Sequence, residues 1–209
     1  MLDLGKRSFF IRALRATFLF VMRVLFRIEY HGWESIPREG PLLIVANHVT
    51  YFDPPWVAAR IYRRLRYMAW DKLLEIPIAG RIMRWSGAFP VSLENPESSA
   101  YKAALKILLD GEALMIFPEG GRSPDGRLRP FKIGAARLAL RTGAPIVPAV
   151  IHGGENVWSP QMLLPRPGKV RVDYLTPITK EGFPEDAAKL MEKVRETMLS
   201  RQQAVGSRQ

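Results

Sequence analysis

Three short, unbroken apolar runs constrain this chain more than anything else in it: Pro41–Ala46 (PLLIVA), Ala113–Phe117 (ALMIF) and Ile146–Ile151 (IVPAVI). A strand with no polar alternation offers water neither face, so both faces must be covered. Between the runs lie helical starts and stops. Asp53 reads as an N-cap ahead of Pro54 and Pro55 and predicts a helix to about Arg64. Pro77–Trp85, Asn95–Asp110, Ile133–Thr142 and Pro184–Gln203 read as further helices. Leu65–Trp70, Ala88–Leu93 and Lys169–Leu175 read as further strands, and residues 118–130, rich in Gly, Pro and charge, as a loop. Strand and helix alternate, which predicts an α/β fold: a central, mostly parallel or mixed sheet flanked by helices.

The 209 residues suffice for one domain with a short appendage. Cysteine is absent, which excludes a disulfide scaffold, a thiolate metal site and a cysteine nucleophile. Three histidines (His31, His48, His152) do not suggest a metal cage, and no metal is expected. The net charge of +11 calls for an anionic partner: nucleic acid, an anionic membrane or a phosphorylated substrate. Nucleic acid is not expected, because no zinc finger, aromatic RNA signature or helix-turn-helix accompanies the charge. The longest uncharged stretches, Gly40–Phe52 and Thr142–Gly154, are thirteen residues each, too short to span a bilayer.

The N-terminus predicts an amphipathic basic helix. Arg12, Arg15, Arg23 and Arg27 fall within an arc of about 120°, and Phe10, Leu14, Phe18, Val21 and Leu25 lie opposite. Such a helix either lies in the interface of an anionic membrane or packs its apolar face on the domain.

In open α/β sheets the chemistry sits beyond the carboxyl ends of the strands, and two loops fit that placement. After PLLIVA comes Asn47-His48-Val49-Thr50-Tyr51-Phe52-Asp53. His48 can fold back onto Asp53, whose carboxylate would fix the imidazole tautomer and leave the other nitrogen as a general base. The competing reading gives Asp53 only a capping role and His48 only a structural one. After ALMIF comes Pro118-Glu119-Gly120-Gly121-Arg122-Ser123. The glycines allow close backbone approach, Arg122 offers a fork for phosphate, and Lys132 stands ready to assist. No Ser nucleophile elbow exists, so the substrate would bring its own nucleophile.

Taken together, Asn47-His48, four residues and Asp53 resemble the first signature of the glycerolipid acyltransferases. Gly87–Val91, Phe117–Ser123 and Ile146–Val150 resemble the second, third and fourth, in the family's order, over roughly residues 30–180. The resemblance is strongest to the 1-acylglycerol-3-phosphate acyltransferases. It implies an O-acyltransferase of phospholipid biosynthesis that moves a fatty acyl group from coenzyme A or acyl carrier protein to the free hydroxyl of a lysophospholipid. His48 and Asp53 would be catalytic, and Asn47, Glu119, Gly120, Gly121, Arg122 and Lys132 would bind substrate, with Glu119 positioning Arg122 or the loop. No cofactor beyond the thioester co-substrate is expected. The implied organisation is a membrane-associating helix (1–29), an acyltransferase domain (30–203) and a flexible tail (204–209). The expected location is peripheral or monotopic, on the cytoplasmic face of a bacterial inner membrane. Two departures are visible. Gly121 stands where the family usually has Thr, and Ser92-Leu93 where an arginine usually helps hold the phosphate, with Arg84 or Lys132 as candidate replacements. A different lyso-lipid acceptor, or a non-catalytic lipid-binding module, therefore remains an alternative.

Overall fold

The computed structural model describes residues 13, 16, 17, 20, 23–91 and 96–207. Residues 23–26 are helical and lead into β1 (Glu29–His31), β2 (Leu42–Ala46), α1 (Asp53–Ala58) and β3 (Leu65–Trp70). Next come α2 (Asp71–Glu75), α3 (Ala79–Ser86), β4 (Ala88–Val91), α4 (Pro96–Leu109) and β5 (Ala113–Ile116). The chain ends with α5 (Gly134–Thr142), β6 (Ile146–His152), α6 (Gly154–Trp158), β7 (Arg171–Tyr174) and α7 (Ala187–Gly206).

The seven strands form one sheet in the order β1-β7-β6-β2-β5-β3-β4. All pairings are parallel except β6–β7, so the sheet is mixed, as expected for an α/β chain. The three apolar runs lie side by side at its centre. Their alternating side chains feed two cores. Leu42, Ile44, Ala46, Ala113 and Met115 face Trp56 and Val57 of α1. Leu43, Val45 and Leu114 face α4, α5 and α7.

This topology positions the site. The helix after β2 covers one face, the helix after β5 covers the other, and the two strands are neighbours. Their loops therefore emerge side by side at the carboxyl ends of the strands, the usual seat of chemistry in such sheets.

Local chemistry explains where sequence and structure part. The helix predicted to Arg64 stops at Ala58, and the chain turns so that Ile61 enters the core with Leu65. The C-terminal helix starts at Ala187, because the Asp186 carboxylate caps it by accepting from Ala188 N (2.8 Å) and Lys189 N (2.9 Å). It runs through Gly206, into the expected tail. At the N-terminus, Phe26 and Ile28 are buried, with Phe26 against Phe52 and Trp56, so the end of the basic segment belongs to the domain. Arg23, Leu25 and Arg27 are exposed. Phe10, Arg12, Leu14, Arg15, Phe18, Val21, Ser92, Leu93 and the last two tail residues lie outside the described residues. Among the described residues no helix is long and apolar enough to cross a membrane.

Candidate active site

The loop after β2 is built around one carboxylate. Asp53 is not the N-cap; Phe52 takes that place and Asp53 is the first residue of α1. Its side chain turns back on its own loop instead. Oδ2 accepts from Val49 N (2.6 Å), Thr50 N (2.8 Å) and His48 Nδ1 (2.6 Å), and Oδ1 accepts from Thr50 Oγ1 (2.9 Å). Asp53 is wholly buried, and these donors replace the water it has lost. With Nδ1–H donating to the Asp53 carboxylate, His48 carries its free lone pair on Nε2, on a side chain 21% exposed. The ring lies flat on Phe117, with centroids 4.1 Å apart and planes at 15°, so both its plane and its tautomer are set.

The loop after β5 is bolted to the first. Glu119 Oε1 accepts from His48 N (3.1 Å), Glu119 Oε2 from Arg129 N (3.4 Å), and His48 O accepts from Ser123 N (2.7 Å). Burial pushes the Glu119 carboxyl above its usual range, and the two backbone donors pull part of the way back. Glu119 thus positions the loop. The Arg122 guanidinium stacks over Tyr51 at 3.7 Å from the ring centroid, and Tyr51 packs on Trp158 at 4.9 Å. Arg122 therefore faces the His48 loop with its fork held in a fixed plane. Gly120 has φ +72°, and the Lys132 side chain lies against it; a Cβ there would come 3.0 Å from Lys132 Cε. A Cβ on Gly121 would meet nothing within 4 Å, so the missing Thr hydroxyl had room.

His48, Asp53, Glu119, Gly120, Gly121, Arg122 and Lys132 all belong to this cluster. Asn47 does not face it as a ligand group. It is buried, its Nδ2 donates to Ile151 O (2.9 Å) and its Oδ1 accepts from Ile151 N (2.7 Å), so it ties the ends of β2 and β6 together. Arg84 is also engaged elsewhere, donating from Nη2 to Leu74 O. Tyr51, Phe117 and Trp158 shape the site without having been given a role from the sequence; Tyr51 and Phe117 lie in the two motifs already singled out, whereas Trp158 comes from α6 and had no signal in the chain. His152 is buried against Asp173 (3.1 Å).

A base held by a buried acid, beside a fixed guanidinium on the neighbouring loop, suits removal of a proton from a hydroxyl on an anionic substrate. The Acyltransferase family matches residues 27–152, more than half of the chain, and the chain belongs to that family. It is 30% identical over 131 residues to a chloroplastic 1-acyl-sn-glycerol-3-phosphate acyltransferase of Brassica napus, covering 61% of this chain and 38% of the relative. It is 27% identical over 189 residues to 1-acyl-sn-glycerol-3-phosphate acyltransferase alpha of Mus musculus, covering 83% and 63%. The chain thus spans less than two thirds of these relatives' length. The crystal structure of the 1-acyl-sn-glycerophosphate (LPA) acyltransferase PlsC from Thermotoga maritima superposes with a TM-score of 0.80 at 25% identity, covering 98% of this chain and 84% of that one.

Proposed function

We propose that the chain transfers a fatty acyl group from a thioester, on coenzyme A or acyl carrier protein, to the free hydroxyl of 1-acylglycerol-3-phosphate. His48 Nε2 takes the hydroxyl proton as that oxygen attacks the thioester carbonyl. The C–S bond then breaks, and the imidazolium returns the proton to the departing thiolate. Asp53 keeps the imidazole in the required tautomer and balances its positive charge. Arg122 binds the acceptor phosphate by its fork, and Lys132 adds charge. The enzyme works at a membrane surface, with the donor supplied from the cytoplasmic side.

One observation carries the reading: the 2.6 Å contact between His48 and a buried carboxylate, in a loop hydrogen-bonded directly to the loop of Arg122. Relatives named for the same activity support it. The test is His48→Ala in purified protein given labelled oleoyl thioester and lysophosphatidate. Turnover should fall about 10²- to 10⁴-fold with an unchanged melting curve. Near-parental turnover would refute the assignment. Ser92 in place of the family arginine supports a second reading, a different lyso-lipid acceptor. A panel of lyso-acceptors read by lipid mass spectrometry separates the two.

A further inference from the structure

Exposed apolar side chains are normally scattered. Here Trp70, Leu73, Ile76, Ile78, Ile82 and Trp85, each 40–76% exposed, crowd into one segment. They ride on the end of β3, on α2 and α3, and on the turn between the two helices. In α3 the amphipathic pattern faces the wrong way for a helix that merely covers a sheet. At 3.6 residues per turn, Ile78, Ile82 and Trp85 lie within an arc of about 60°, and that arc faces outward. Arg81 and Arg84 border it on one side. The inward side carries Met83, packed on the core, and Gly80, pressed against the Leu74 carbonyl.

Register places this segment at the catalytic end. Tyr67 pairs with Met115, and Met115 with Ile44. Trp70 therefore stands level with Asn47 two strands away, a separation of about 10 Å. The apolar segment begins beside the His48 loop.

We propose that residues 70–85 form a bilayer-docking surface, which seats Ile78, Ile82 and Trp85 among the acyl chains of an anionic leaflet and holds the His48 site against the interface. Isoleucine suits the acyl region and tryptophan the boundary with the headgroups. Arg81, exposed beside the apolar arc, matches lipid phosphates, and the net charge of +11 draws the protein to an anionic surface. The proposal rests on the reading that the acceptor is a membrane lipid.

The chain has no cysteine, so Ile82→Cys takes a single environment-sensitive dye. With phosphatidylcholine–phosphatidylglycerol vesicles, its emission should shift to the blue and rise about threefold or more. The same dye at Glu196→Cys, exposed on α7, should report water. Replacing Ile78 and Ile82 together by Glu should weaken vesicle partition at least about tenfold, with the melting curve near the parent's because both side chains are exposed. A dye at position 82 that stays in water while the protein sediments with vesicles overturns the proposal. So does a blue shift that follows protein concentration and needs no lipid, the mark of a face between two copies of the chain. Acyl transfer to a short-chain lysophosphatidate dissolved without vesicles is assayed on the same proteins. That reaction tests the enzymatic reading without the surface, so the two can fail separately.

Discussion

Two residues show how much work a single polar side chain does here. The Asp53 carboxylate closes the turn at Val49 and Thr50 and orients His48 with the same two oxygens. Its loss would remove backbone support and tautomer control together. Arg122 is different, because its stacking partner Tyr51 holds it while leaving the guanidinium edge free to donate. Arg122→Ala should therefore spare the fold and raise KM for the phosphorylated acceptor about 10- to 100-fold, the scale of a lost charge-assisted pair. KM for the acyl donor should hardly move. Steady-state kinetics in both substrates check this, and equal rises for donor and acceptor would contradict a phosphate-binding role.

Among the elements, the α2–α3 pair depends on one close approach. A Cβ on Gly80 would lie 2.0 Å from the Leu74 carbonyl oxygen, and backbone cannot yield as a flexible side chain can. Gly80→Ala should force the two helices apart and cost at least about 2 kcal/mol. Urea unfolding measures it, and an unshifted midpoint would show that the pair yields freely. Predicted and observed elements differ most where the helices are shortest. α2 and α6 have five residues each and no side-chain cap, so neither periodicity nor capping announced them. β1 is three residues, EYH, and counts as a strand because β7 offers it an edge. By contrast β3, Leu65–Trp70, lies within the bounds predicted for it, since its alternation matches its burial.

At the scale of the whole molecule, Asp173 joins three distant parts of the chain. It is buried on β7 and bonds His152 of β6 (3.1 Å), Arg171 of β7 (2.8 Å) and Arg201 of α7 (2.8 Å). Burial alone would raise its pKa; the hydrogen bonds from His152, Arg201 and Arg171 outweigh that and hold it far below the usual carboxylate range. A depressed folded-state pKa adds stability that is complete above the unfolded value of about 3.9 and is lost as pH falls through the folded value. Asp173→Ala should cost about 3 kcal/mol at pH 7, the low end for a buried pair because both arginines are partly exposed. The deficit should narrow as pH drops below about 3.9. Urea midpoints at pH 7 and pH 3 test both statements; a constant deficit would remove the ion pairs from the account.

The α/β class, the three central strands and the two loops that carry His48, Asp53, Glu119 and Arg122 were all legible in the chain. Each depends on interactions between near neighbours: apolar runs, turn glycines, a base five residues from an acid. Only the tertiary structure decided how those loops meet. Strand order puts β2 beside β5, so Ser123 and Glu119 bond the backbone of His48 directly. The assembled sheet likewise turned Asn47 from a candidate ligand into a clasp on Ile151. Spacing along the chain records which groups are close in sequence; which remote partner satisfies a buried amide or carboxylate is decided when the sheet assembles, because an unsatisfied one would be expelled.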